Sequence, residues 1–323
     1  MKSITGYHVY TQNSSLKEYY QINLLVQLAS ILFWKQNYGL LKLYTDPQSL
    51  KILQEYNLDI LYDDINTDFL DSAHLPEYRK KYWSFPKLYL AKHLIDLNEK
   101  FVIVDTDLFI SEKLDLDWDN DIIGYHRESY DLNCKYNTYI SPSTWIPEAD
   151  LSKYNWDALP INTAFLYINN TEQSKTLINK WVDLSLQYRE ITKHGPILPN
   201  NADTIFFEQR FLASLIEFYN IKVSTVFPNV YEAHNAIFDP SDPHFILGYE
   251  WNPRLDSSEY SLYLCDVCKH VWGMKSLYHI KEMRELVLNM AFYYLYSVFN
   301  QIQIENNFNK LVTECNQIYT PNN

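Results

Sequence analysis

Glycine is scarce, with 6 in 323 residues, and no two of them stand at the spacing of a G-x-G-x-x-G turn or a P-loop. A nucleotide, if one binds, is held by neither device. Cysteine is scarcer: Cys134, Cys265, Cys268 and Cys315 are too few and too scattered to staple a chain of this length, which points to a reducing compartment. Basic residues are outnumbered, 27 Lys and Arg against 40 Asp and Glu, for a net charge of −13. That field opposes a stable embrace of nucleic-acid phosphates, and a phosphate-bearing small ligand would need a local cation. Long apolar runs are also missing. The longest charge-free helical stretch, 286–304, is interrupted by Asn289, Ser297, Asn300, Gln301 and Gln303, whereas a spanning helix needs about 20 predominantly apolar residues. Behind Lys2 there is no apolar h-region. No secretory leader is therefore expected, and the cytoplasm, free or at the inner membrane face, is the expected compartment, with export lacking a visible signal as the alternative.

What is present alternates between two periods. Residues 3–10 read as a strand, 16–34 as a helix, 40–44 as a strand, 48–56 as a helix capped by Asp46 or a residue near it, and 58–62 as a third strand. That order indicates one half of a doubly wound α/β fold. Residues 63–82 read as polar and irregular. Leu88, Leu90, Ala91, Leu94 and Ile95 give helical spacing over 86–97, which feeds an apolar strand at 101–104. Further strands are expected at 121–125, 161–168, 223–226 and 261–264, and helices at 172–188 and 204–219. Residues 127–160, rich in Tyr, Asn, Ser and Pro, read as a long insertion of the kind that forms lids or binding loops. From 275 onward the chain is expected to be mostly helical. The 28 tyrosines suit sugar-stacking surfaces, and an AT-rich genome explains them equally well.

Phe101-Val102-Ile103-Val104 runs straight into Asp105-Thr106-Asp107. In extended backbone residues i and i+2 point the same way, so both carboxylates can reach one ligand at the carboxyl end of a strand, where open α/β sheets bind theirs. Two close carboxylates repel unless a cation lies between them, and hard oxygen donors suit Mg²⁺ or Mn²⁺. A strand followed by an Asp-rich turn is the plain alternative. A second constellation is His270-x-x-Gly273-x-Lys275: an imidazole that a Mn²⁺ site accepts, a glycine permitting close backbone approach, and a cation placed for a phosphate. Alone, such a histidine is more often a hydrogen-bonded surface residue.

The apolar strand ending in D-x-D with a late H-x-x-G-x-K resembles the GT-A glycosyltransferases, and most closely the retaining family 8 group of glycogenin and the bacterial lipopolysaccharide galactosyltransferases. Asn162-Thr-Ala164 opens a strand similar to that family's N-x-G strand, and Glu208-Gln209 a helix similar to its D-Q helix. Lys87 stands where the family has an Arg. Departures are Lys87 for Arg, Ala164 for Gly, Glu208 for Asp, and Ser276-Leu277 for Pro-Trp. The likeness spans about 1–276 and implies a GT-A catalytic domain, a Rossmann-like mixed sheet flanked by helices, with 277–323 as a helical C-terminal extension. It implies that Asp105, Asp107 and His270 hold Mn²⁺ or Mg²⁺ against the diphosphate of a nucleotide sugar, a UDP-hexose by resemblance only. Lys275 would contact the leaving phosphate, Asn162 and Glu208 the sugar hydroxyls, and Gln209 the reacting face of the anomeric carbon. Lys87 would reach sugar or phosphate, Tyr10, Thr11 and Gln12 would pack on base and ribose, and Thr106 and Gly273 count among the donor-binding positions. The acceptor implied is a glycan or a protein side chain, and the transfer retaining.

Other readings compete. A D-x-D strand also opens haloacid dehalogenase phosphatases, but that motif wants Thr or Val two residues beyond the second Asp, near the N-terminus, and Phe109 stands there at mid-chain. Cys265-x-x-Cys268-x-His270, with Cys134 or His279, has the spacing of a zinc half-site. A non-catalytic sugar-nucleotide or glycan-binding module would keep the fold without the chemistry. The segment 286–299, apolar nearly all round, suits burial at a homodimer contact better than a membrane surface.

Overall fold

The structure, a computed structural model, describes residues 4–11, 20–72, 84–128 except 107, 109, 111 and 112, then 141–192, 205–229, 232, 310, 311, 313 and 314. The chain divides into two compact units, one of Met1–Ser72, Asp105–Leu114 and His234–Asn323, the other of Ala73–Val104 and Asp115–Ala233. Seven strands lie among the described residues, three in the first unit and four in the second, and helices accompany each set. The class is α/β, as the alternating periods indicated, and the strand directions are mixed, as the resemblance implied. No helix among the described residues is long and apolar enough to cross a membrane.

The first unit runs β1 (Gly6–Tyr10), α1 (Tyr20–Asn37), β2 (Leu41–Thr45), α2 (Pro47–Glu55), β3 (Asp64–Asn66) and α3 (Asp68–Ser72). Its strands are parallel in the order β3-β2-β1, with Gly6 opposite Leu41 and Lys42 opposite Asp64. Leu24, Leu28, Ile31 and Leu32 recur at helical spacing on α1 and are all buried, as are Leu41 and Leu43 on β2. Gly6 is a glycine because Trp34 leaves no room: a Cβ there would stand 2.3 Å from the indole. α2 starts where the sequence indicated. The Asp46 carboxylate accepts from the backbone of Gln48 at 3.0 Å and Ser49 at 3.1 Å, and Pro47 occupies the first turn. Such a cap is worth about 1 kcal/mol.

Two expectations fail here. The segment 58–62 is no strand but turns through a 3₁₀ helix at Asp59–Leu61, and β3 lies just beyond, inside the stretch that read as irregular. Leu58, Leu61 and Tyr62 are buried by the turn rather than by strand alternation. Near the C-terminus Leu311 is buried, Lys310 pairs with Glu55 at 2.7 Å, and Tyr56 donates to Glu314 at 2.6 Å, so this helical piece docks on the end of α2. The remaining expected helices beyond 275, the dimer segment 286–299 and the strand 261–264 lie outside the described residues.

The second unit runs α4 (Phe85–Asp96), β4 (Phe101–Val104), β5 (Ile122–His126), α5 (Pro142–Trp145), α6 (Glu148–Leu151), β6 (Phe165–Ile168), α7 (Glu172–Thr192), a π-helical turn at Phe206–Arg210, α8 (Phe211–Phe218) and β7 (Val223–Phe227). Its strand order is β4-β6-β5-β7; β6 is antiparallel to both neighbours and β7 parallel to β5. All four residues of β4 are buried, as a strand covered on both faces requires. β6 is shorter than expected, since Ile161 makes only an isolated bridge to Arg127. The described part of the insertion, 127, 128 and 141–160, is packed rather than loose. Trp156 stacks on Phe206 and Phe211 with centroids 5.8 and 6.0 Å away, and Tyr188 of α7 donates to Asp150 at 3.1 Å.

Candidate functional site

Because β6 runs against both β4 and β5, its amino end meets their carboxyl ends, the edge at which open α/β sheets bind ligands. At or facing that edge the second unit buries Lys87, His126, Glu128, Asn162, Thr163, Glu208 and Gln209. Polar groups are buried at a cost unless hydrogen-bonded, so their partners define what the cluster can do.

Lys87 stands in the first turn of α4, where the helix dipole disfavours a cation. Glu208 compensates: Nζ lies 2.6 Å from its Oε1, with side-chain exposures of 6% and 1%. The ammonium also donates to the carbonyl and hydroxyl oxygens of Thr163 at 3.1 and 3.3 Å, and Thr163 Oγ1 donates to the same Glu208 oxygen. Glu208 and Gln209 occupy the π-helical turn, a device that recurs at functional sites because it re-aims side chains within a helix. Its backbone is pinned from two sides. Trp181 of α7 donates to the Phe207 carbonyl at 2.7 Å, and Ile161 N–H donates to the Gln209 carbonyl at 3.4 Å. Glu208 Oε2, buried, accepts no hydrogen bond among the described residues. An orphaned buried acceptor costs on the order of 1–3 kcal/mol, so this oxygen suits a ligand hydroxyl.

Asn162 lies at the same edge. Its Oδ1 accepts from Ala164 N–H at 3.0 Å and its Nδ2 donates to Glu128 Oε1 at 3.0 Å, while His126 Nε2 lies 3.5 Å from that carboxylate oxygen. Gly124 permits the approach: a Cβ there would lie 2.1 Å from Ile161 Cγ2 and 3.3 Å from the Asn162 carbonyl oxygen. Gly124→Ala is expected to cost about 1–3 kcal/mol by overpacking. A lower urea midpoint with an unchanged denaturant slope checks this, and an unchanged midpoint would contradict it.

Four residues that the sequence singled out, Lys87, Asn162, Glu208 and Gln209, therefore meet in the second unit. Others belong to the first. Tyr10 ends β1 and is buried, its carbonyl accepting from Thr45 Oγ1 at 2.6 Å, and Thr11 follows it half-exposed. Asp105 is half-buried, its carbonyl accepting from Leu108 N–H at 3.0 Å and Ser30 Oγ at 3.4 Å, and Thr106 is half-buried beside it. Gln12, Asp107, His270, Gly273 and Lys275 lie outside the described residues, as do Cys134, Cys265, Cys268 and His279. Among the described residues no group of three His, Cys, Asp or Glu could hold a metal. His126, Glu128 and Thr163 were not expected. The signal was available for two of them: His126-Arg127-Glu128 leaves the end of a buried strand with the same alternate spacing as Asp105-Thr106-Asp107.

Fold and site together define an α/β protein with a buried polar cluster at the carboxyl ends of its strands. Residues 16–245 match the model of a family described as a family of unknown function (DUF6734), and the chain belongs to that family. Comparison with curated proteins gives no match. Among solved structures, the glycosyltransferase GlyE of Streptococcus pneumoniae TIGR4 is similar with a TM-score of 0.34 and 13% identity, over 85% of this chain and 64% of that one. The chain thus spans less than two thirds of that protein's resolved length.

Proposed function

We propose that the chain is a glycosyltransferase that moves a hexose from a nucleotide diphosphate sugar, UDP-linked by resemblance, to a glycan or protein acceptor. One observation supports this above the others: Lys87, expected to reach sugar or phosphate, and Glu208, expected to bind the sugar, pair across 121 positions of chain, and both bind Thr163, the neighbour of Asn162. A hexose presents neutral hydroxyls, and the cluster offers what they need. Glu208 Oε2 is an acceptor lacking a donor, and the Asn162 amide keeps one N–H after serving Glu128. Lys87 lies 2.6 Å from Glu208 Oε1 and leaves Oε2 to accept from the sugar. Gln209, neutral, suits a transfer in which the leaving phosphate rather than a protein base takes the acceptor proton.

Asp105, Asp107 and His270 would hold a divalent cation, which supplies charge where the diphosphate leaves. Asp105 fits such a role: it emerges half-exposed immediately after four buried strand residues, with a hard oxygen donor. Lys275 would add a second positive charge on the leaving phosphate. The test is a panel of UDP-glucose, UDP-galactose and UDP-N-acetylglucosamine incubated with the purified chain and Mn²⁺. Release of UDP from at least one donor, abolished by EDTA, is the expected result; no release from any donor with Mn²⁺ or Mg²⁺ would count against the reading.

A further inference from the structure

We infer that Glu128 is a positioning residue for Asn162, fixing which way that amide faces a bound donor sugar; this rests on the proposed contact between Asn162 and the sugar. One partner of the Asn162 side chain has no choice of role. A backbone N–H can only donate, so the Asn162 atom 3.0 Å from Ala164 N must be the amide oxygen. The amide nitrogen therefore faces Glu128, whose carboxylate can only accept, again at 3.0 Å. Both ends of the side chain are thereby assigned, and what remains for a ligand is one N–H and one oxygen lone pair in fixed directions.

Glu128 can hold that orientation because it is held itself. Its own N–H donates to the Pro160 carbonyl at 2.9 Å, Arg127 Nη1 donates to the Leu159 carbonyl at 3.1 Å, and Asn162 N–H donates to the His126 carbonyl at 2.9 Å. These cross-links tie the end of β5 to the approach of β6 on both sides of the Glu128–Asn162 bond. The carboxylate is buried, and a hydrogen bond to an ionised acceptor in such a place is stronger than one between neutral groups. Without it the Asn162 nitrogen has no fixed partner, and the amide keeps only the Ala164 contact to set its angle.

The experiment is calorimetric titration of the wild-type chain, Glu128→Ala and Glu128→Gln with UDP and with whichever sugar nucleotide of the panel binds. Glu128→Ala is expected to weaken the sugar nucleotide by about tenfold, the worth of one charge-assisted hydrogen bond. UDP alone should be unaffected. Glutamine retains a carbonyl oxygen that accepts the same bond, so Glu128→Gln is expected to bind within about threefold of wild type. A Glu128→Ala variant that binds like wild type, or a Glu128→Gln variant as weak as Glu128→Ala, overturns the positioning role alone. Wild-type protein that binds no sugar nucleotide overturns the transferase reading and this role with it. Should Glu128→Ala fail to fold, Glu128→Met replaces it: the side chain fills the same space without accepting from the Asn162 amide, and should weaken the sugar nucleotide about as much while leaving UDP unaffected. A Glu128→Met variant that binds the sugar nucleotide like wild type would overturn the positioning role.

Discussion

Lys87→Met is expected to destabilise the protein by about 3–5 kcal/mol, the usual result of leaving one member of a buried ion pair uncompensated. The methionine fills most of the lysine's volume, so the loss is electrostatic: among the described residues Glu208 Oε1 would keep the Thr163 hydroxyl as its partner. Thermal melting should fall by roughly 10 °C in a domain of this size. The attraction itself is not the source of the effect, because desolvating both ions offsets most of it. The double variant Lys87→Met/Glu208→Leu should therefore regain most of the lost stability while remaining unable to bind a sugar hydroxyl at position 208. A Lys87→Met variant that melts with wild type would show that this pair is not buried as described.

The second large effect belongs to chemistry. Asp107→Ala is expected to lower nucleotide-sugar turnover by about 10²–10³-fold, the scale of losing one electrostatic stabiliser of a leaving group. Stability should not fall, since removing one of two neighbouring carboxylates relieves repulsion. Turnover at the wild-type rate would remove the carboxylate pair from the mechanism, and a collapse of the melting curve would make the loss of activity uninformative about it.

The parts of the fold that were legible are those where one physical requirement dominates. β4 announced itself through four consecutive apolar residues, and α2 through Asp46-Pro47, whose cap is found as expected. Residues 58–62 read as a β-like run because the 3₁₀ turn there buries Leu58, Leu61 and Tyr62 as well as a strand would. β3 was invisible because Asp64-Ile65-Asn66 is three residues long, with one apolar residue between two polar ones. The π-helical turn escaped for a related reason: over five residues its period cannot be told from an ordinary helix. At the site, Lys87, Asn162, Glu208 and Gln209 were reached through resemblance, but that Lys87 serves Glu208 is a tertiary fact. Two residues 121 positions apart give no local sign of pairing. Glu128 gave a weaker sign, because His126-Arg127-Glu128 repeats the strand-end spacing of Asp105-Thr106-Asp107 with one carboxylate in place of two.

The claim on which the transferase reading turns is that Asp105, Asp107 and His270 share one cation with a nucleotide diphosphate. Electron paramagnetic resonance of Mn²⁺ titrated into the protein with and without UDP tests it directly. One bound Mn²⁺ per chain, tightened by UDP and lost in both Asp107→Ala and His270→Ala, is the predicted result. Mn²⁺ binding that ignores UDP, or that survives both substitutions unchanged, would contradict it.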